Sequence, residues 1–390
     1  MHLHLPSLLS ILLLAPPLHA TTTIVPPVPA NEASNVIWTS SNSSFDGPKV
    51  SPINSTTWTD WYFEAVESPT PGSEQASIVI AFYTATPGGF DLLSGFASEG
   101  YTSATLAEAE VTWRNGTTET FIFNATEAHI TVVGDGASGV FGEDDNTWAS
   151  FGGSPDIDIY RVDLQSAGIS GSMTLRSTAP AHYPCGPAKA GQNLQIAPHI
   201  GWANAVPDAD ATVHFTIHNQ PFEFTGIGYH DQNFGSASLA ANVGSWYWGN
   251  GRLGPYSIVW YDLLTPDGTN TVAAYVALDG DILVAQCSGL TVRPYGTNST
   301  YPPLISTGNP TGFTVTIDLP DERVELTAAG TYVTAGGWEN APYTRWSGTL
   351  EGRISGEDLA GKAIFEEFKF LTEGVACNQV EIAEVAGFGP

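Results

Sequence analysis

The chain has 390 residues, enough for two domains with full cores. Its 12 Lys and Arg stand against 40 Asp and Glu, a formal net charge of -28. Such a field repels polyanions, so nucleic acid and anionic membrane surfaces are poor partners, while the acidity itself serves solubility.

Met1 to Ala20 carries the apolar run LPSLLSILLLAPPL and ends Leu18-His19-Ala20, the pattern of a cleavable signal peptide. It departs from that pattern in two ways: no Lys or Arg precedes the run, and Leu18 is larger than the usual residue at its position. The run is too short to span a bilayer, and no later segment is suited to stable membrane insertion. Sequons at Asn42, Asn54, Asn115, Asn124 and Asn298 are glycosylation candidates, and with the leader they point to the secretory pathway. Cys185, Cys287 and Cys377 allow one bridge and leave one thiol, and their spacing does not select the pair.

Residues 21 to 57 read as a surface arm rich in Pro, Ser, Thr and Asn. Strands follow at Trp58 to Ala65, Ser77 to Tyr83, Ala107 to Arg114, Glu119 to Phe123, His129 to Val133, Asp158 to Leu164, Gly171 to Ser177 and Ala211 to Ile217. Turn residues separate nearly every pair, so the class is all-β, an antiparallel sandwich or barrel. The second half repeats the texture at Ser257 to Leu264, Thr271 to Leu278, Asp281 to Gln286, Gly312 to Leu319, Arg323 to Ala328, Thr331 to Thr334, Trp346 to Ile354 and Glu366 to Leu371. Glu357 to Ala363 reads as a short turn of helix. Small residues at Gly235 to Val243 suggest a boundary between domains 58–238 and 239–390.

Several motifs fail on context. Gly134-Asp-Gly136-Ala-Ser-Gly139 matches a dinucleotide fingerprint, but Val140-Phe-Gly-Glu-Asp-Asp-Asn reads as a loop where that motif requires a helix. His214 and His218 would stand roughly 13 Å apart along a strand, too far to share an ion. Metalloprotease, nucleophile-elbow and phosphate-loop patterns are missing, so neither a cofactor nor a metal is expected.

The densest chemistry lies between Gly226 and Tyr261, in GIGYHDQNFGSASLAANVGSWYWGNGRLGPYSIVWY. On a strand, Tyr229, Asp231 and Asn233 share one face, and His230 and Gln232 share the other. Gly-Tyr-His-Asp-x-Asn-(aromatic)-Gly, followed by Trp-x-Trp-Gly and Tyr-Ser-Ile-Val-Trp-Tyr-Asp, resembles the signature of the hydroxyneurosporene synthase superfamily. Its members include carotenoid 1,2-hydratases and fungal lipocalin-like Diels–Alderases. Pro198-His199-Ile200-Gly201-Trp202 and Tyr343-Thr344-Arg345-Trp346-Ser347-Gly348 resemble the fungal members as well. Gln232 stands where relatives often carry a second His, and Phe234 where they usually carry Trp.

The resemblance implies two lipocalin-like β-halves, with a pocket for a hydrophobic small molecule between or within them. It implies a cofactor-independent pericyclase that restricts substrate conformation. A hydrogen-bond donor aimed at a carbonyl would polarise the reacting π system. Arg345, His230 and Asp231 are the catalytic candidates, and Tyr229, Trp246, Tyr343 and Trp346 the substrate-binding ones. Arg345 could equally pair with a carboxylate, and Asp231 could fix the His230 tautomer as a scaffold dyad. The secretory features favour the fungal subgroup that joins a humulene-type terpene to a tropolone quinone methide by a hetero-Diels–Alder reaction. The alternatives are a hydratase with Asp231 or His230 as proton donor, and a non-enzymatic lipocalin-like carrier.

Overall fold

A computed structural model describes residues 19–68 and 75–373. The expected cleavage site lies at the edge of this range, most of the leader lies outside it, and so does Cys377. The described chain is almost wholly antiparallel β, in one sheet of 15 strands and another of nine, with a two-stranded ribbon at Asn35–Val36 and Val50–Ser51. The first sheet ends with the strand Gln220–Gly235 and the second begins at Ser245–Leu253. Between them sits a single helical turn, Leu239–Asn242.

Alternation explains how the sheets pack. The strand Trp58–Glu67 is buried along nearly its whole length because both of its faces are covered. Trp61, Phe63 and Ala65 point into the core enclosed by the curled first sheet. Trp58, Tyr62 and Val66 point the other way, onto the second sheet. The neighbouring strand Gln220–Gly235 is divided likewise: Phe222, Phe224 and Phe234 lie inside the first sheet, while Ile227 and Tyr229 face the second. A third core lies within the second sheet, around Trp260, Phe313, Leu326 and Phe365. The molecule thus has an apolar core inside each curled sheet and a mixed aromatic and polar layer between them.

Several segments differ from their sequence reading. Ala20–Val25, which spans the end of the expected leader and the start of the surface arm, is an edge strand paired with Glu127–Val133, and Phe45, Asp46, Val50 and Ile53 of the arm are buried. Gly136–Asp144 is a strand rather than a loop, pairing with Glu127–Val133 and Thr147–Gly153; no helix follows the glycines. Glu357–Lys369 is one continuous strand along Tyr343–Ile354, so the helical turn expected at Glu357 is absent. Ladder pairing with Tyr343–Ile354 along this stretch, joined from Gly361 by Ser245–Leu253 on the other side, overrides its local propensity. Arg323–Gly336 is a single strand whose two bulges bend it, where two short strands were expected.

Cys185 and Cys287 form a disulfide at a sequence separation of 102. It ties the Gly186 ribbon of the first sheet to the end of Asp281–Gln286 in the second. Asn42, Asn115 and Asn298 are exposed, whereas Asn54 and Asn124 are half-buried. A bridge closing so long a loop restricts the unfolded chain, and replacing both cysteines with Ala should cost about 2–4 kcal/mol. Denaturant titration of the double variant against wild type checks this; an unchanged midpoint would contradict the clamp.

Candidate active site

A cavity of about 310 Å³ lies between the two sheets. From the first sheet, Asp60 and Tyr62 reach it on Trp58–Glu67, Tyr83 on Ser77–Ala85, Glu108 and Glu110 on Thr105–Thr112, and Asp231 and Asn233 on Gln220–Gly235. From the second sheet come Trp246 and Trp248, Tyr343 and Arg345, and Glu366 and Phe368. The helix Leu93–Ser98 and its approach supply Phe90, Leu92 and Phe96, and the exposed Trp338 stands at the mouth. Gly336, also at the wall, has φ +64, and a Cβ there would lie 2.0 Å from the Tyr343 carbonyl oxygen. The bulged end of its strand therefore requires glycine.

Among the described residues that line the cavity the one guanidinium is Arg345, only 3% exposed. It donates to Glu110 across the sheet interface, to the Tyr343 hydroxyl at 3.2 Å and to Thr334 Oγ1 at 3.2 Å. Tyr343 in turn donates to Glu366 Oε2. A chain of bonds thus runs Glu110, Arg345, Tyr343, Glu366 from one sheet to the other. The ion-pair alternative for Arg345 is realised, and the residue also faces the cavity.

Carboxyl groups far outnumber this cation, and burial favours their neutral form. Burial pushes Glu366 up to about 7, against the pull of Arg345 and the Tyr343 bond. Burial, with the Asp231 charge added, holds Asp60 well above the carboxylate range. Glu108 is raised by burial and by neighbouring Glu110. Just behind the cavity, burial raises Glu64 to about 8 although Tyr62 and Asn250 hydrogen-bond to it. Asp231 rises by burial to about 6, opposed by the bonds from Tyr229 and Trp202.

The seven residues singled out in the sequence separate by face. Asp231, Trp246, Tyr343 and Arg345 line the cavity. Tyr229 is fully buried behind it and donates to Asp231 Oδ2 at 2.7 Å. His230 points into the first sheet's core, where its ring stacks on Phe63 with centroids 3.9 Å apart. Its Nε2 meets Asp46 Oδ2 at 3.0 Å and its Nδ1 meets the Tyr62 carbonyl at 3.0 Å. The expected His230–Asp231 dyad is therefore absent: adjacent residues on a strand face opposite ways, and the partner is Asp46 from the arm. The same parity removes Trp346, which packs on Phe313 and Phe365 in the second sheet's own core.

Three donors engage the Asp231 carboxyl. Oδ2 accepts from Trp202 Nε1 and Tyr229, both at 2.7 Å, and Oδ1 accepts from Asn233 Nδ2 at 3.1 Å. This carboxyl fixes Asn233 of the cavity wall and, behind it, Trp202 and Tyr229. The residues that sequence reasoning missed are Asp60, Tyr83, Glu108, Glu110 and Glu366. The signal was present in Ala107-Glu-Ala-Glu-Val111 and Phe365-Glu-Glu-Phe368, where carboxylates occupy strand positions that apolar neighbours mark as buried.

A carboxyl whose pKa rises on folding binds more protons folded than unfolded between its two values. For Glu64, Asp231 and Glu366 the stabilising proton is retained at low pH and lost as pH climbs through about 6 to about 8. Stability should therefore fall from the unfolded values of 3.8 and 4.5 up to the folded values, ending at about 8, and Glu64→Gln with Glu366→Gln should flatten the fall. Denaturant midpoints from pH 5 to pH 8.5 measure it, and an unaltered slope in the double variant would contradict the assignment.

Comparison with known proteins places the chain in a family. Residues 29–294 match the model described as Diels-Alderase-like. The quinolone epoxide rearrangement protein asqO of Emericella nidulans is 34% identical over 351 residues, covering 87% of this chain and 91% of the relative. The protein of the same description, penF of Penicillium thymicola, is 32% identical over 87% of this chain and 93% of its own. Among solved structures, CghA with Sch210972 superposes at a TM-score of 0.69 and 18% identity, over 89% of this chain and 98% of that one. At that identity the likeness speaks for the lipocalin-like fold alone. The chain belongs to the Diels-Alderase-like family.

Proposed function

We propose that the protein catalyses a cofactor-independent isomerisation, a rearrangement or cyclisation, of a hydrophobic fungal secondary metabolite in the cavity between its sheets. The observation that carries this reading is the crowd of carboxyl groups around one guanidinium in an aromatic enclosure. Those groups supply acids near neutral pH without any cofactor. Two relatives are named for the rearrangement of a quinolone epoxide, and an epoxide is opened by protonation of its oxygen as a C–O bond breaks.

Glu366 is the best placed acid. Its Oε2 accepts from Tyr343, and its pKa of about 7 matches the working range of a proton donor. Glu366 would give its proton to the epoxide oxygen, and an internal nucleophile of the substrate would close on the carbon released. The proton lost from the product would return to the carboxylate, leaving the formula unchanged. Arg345 holds Tyr343, and the aromatic wall excludes water that would capture the cation.

The pericyclase reading shares this cavity and this conservation of formula: the walls fold the substrate, and Tyr343 or Arg345 polarises a carbonyl. The coupling of a humulene-type terpene with a tropolone quinone methide rests on the expected compartment, not on a cavity residue. A secretory route is supported by the Cys185–Cys287 bridge, which persists in oxidising compartments, and by the exposed Asn42, Asn115 and Asn298. Hydration with His230 as donor is not compatible with that side chain's position in the other core.

Purified protein given a synthetic quinolone epoxide should return a product of the same formula. Glu366→Gln should lower kcat by about 10²–10⁴-fold with KM little changed. Wild-type turnover in that variant would remove Glu366 as the acid. A product heavier by one water would overturn the isomerase reading, and two metabolites summing to one product would favour the intermolecular coupling.

A further inference from the structure

We infer that Trp338 is the closing wall of this cavity, and that the substrate is an amphiphile whose oxygen-bearing head enters first, leaving an apolar tail under the Trp338 ring. The inference deepens the isomerase reading above and rests on it for the identity of the cavity as the active site.

Polarity is graded along the cavity. Asp60, Glu108, Asp231, Arg345 and Glu366 are all buried, and Glu110, held by Arg345, is half-buried. Toward the mouth the lining turns apolar: Leu92 and Phe96 are half-buried, and Trp338 is 63% exposed. The exposed polar members of the lining, Glu99 and Thr120, stand at the rim beside water. A substrate inserted tail first would set apolar surface among the carboxyl groups and strip water from its own polar end against Leu92 and Phe96. Neither loss would be compensated by a hydrogen bond, so the gradient selects entry by the head.

Trp338 is the aromatic side chain of the lining that the fold itself does not use. Every other aromatic ring there, among them Phe90, Trp246 and Phe368, lies in or against the apolar layer between the sheets. Trp338 projects instead from the turn that joins Arg323–Gly336 to Tyr343–Ile354. That turn is pinned: the Gly337 N–H donates to the Tyr343 carbonyl at 3.1 Å, Asn309 Nδ2 to the Gly337 carbonyl at 3.0 Å, and the Ala341 N–H to the Trp338 carbonyl at 3.0 Å. Its backbone is thus held while its ring stands in water. The helix Leu93–Ser98, which brings Phe96, belongs to the connection between two strands of the first sheet, so the mouth is bounded from both sheets. A tail laid along the Trp338 ring removes apolar area of both from water. It also closes the path by which water would reach a cation formed among the carboxyl groups.

The test uses 1-hexanol and 1-decanol, inert probes with the same hydroxyl head and tails of different reach. The full-length protein is labelled with 5-fluorotryptophan, and the fluorine resonance of Trp338 is identified by its loss in Trp338→Phe. Saturation with 1-decanol should move that resonance and shrink its shift between H₂O and D₂O, which reports exposure, whereas 1-hexanol should leave both unchanged. Trp338→Ala should weaken 1-decanol binding about 10-fold and 1-hexanol binding less than about 2-fold, and Trp338→Phe should keep most of the 1-decanol affinity. An unmoved Trp338 resonance, equal weakening of the two alcohols, or no saturable binding of 1-decanol would each overturn the proposal. The readout is binding, so its failure leaves the turnover test of Glu366 untouched, and a protein that passes it but turns over no epoxide would overturn the isomerase reading alone.

Discussion

The interaction on which the rest depends is the buried pair between Arg345 of the second sheet and Glu110 of the first. Taking two charges out of water is costly, and good geometry and further bonds must offset that cost. Arg345 obtains them from Thr334 and Tyr343, which fixes Tyr343 against Glu366. The two sheets are then held at a separation that leaves a cavity rather than a closed seam. Secondary ties at Arg252–Asp208 and Asn250–Glu64 join the same two sheets. In the balance of charge around Arg345, which faces so many carboxyls in the cavity, burial shifts several of them toward the neutral form.

That balance links fold to chemistry. An apolar core inside each sheet provides rigidity, and the layer between them carries groups that a core would normally reject. Asp231 shows the division of labour: three donors make it a brace for Trp202, Tyr229 and Asn233. Glu366, bonded by Tyr343 alone, lines the cavity and is the group to which the proposed proton donation is assigned. A family whose members are named for cycloaddition and for epoxide rearrangement fits such a device, since both need a shaped, dry enclosure with a few donors.

Much of the β architecture was legible because period-two burial leaves a strong trace: Ser77–Ala85 and Asn270–Leu278 lie where their apolar runs place them. The site was legible only around the central motif. Asp231 and Trp246 stand close to one another in sequence, whereas Asp60, Glu108 and Glu366 come from strands far away, and spacing cannot bring them together. The two misplaced residues have one cause. His230 beside Asp231, and Trp346 beside Arg345, were grouped by proximity in sequence, yet strand geometry sends such neighbours to opposite faces. The partner of His230, Asp46, was hidden because a stretch rich in Pro and Ser reads as surface. The disulfide was undetermined because three cysteines permit three pairings.

The central claim is that the layer between the sheets holds protonated carboxyl groups at neutral pH. Infrared spectroscopy of the folded protein in H₂O and D₂O at pH 7 tests it most directly, because a protonated carboxyl has a C=O stretch distinct from that of a carboxylate. The account predicts such a band in the native state, weakened by Glu366→Gln and lost on unfolding at the same pH. A native spectrum containing only ionised carboxylates would contradict it.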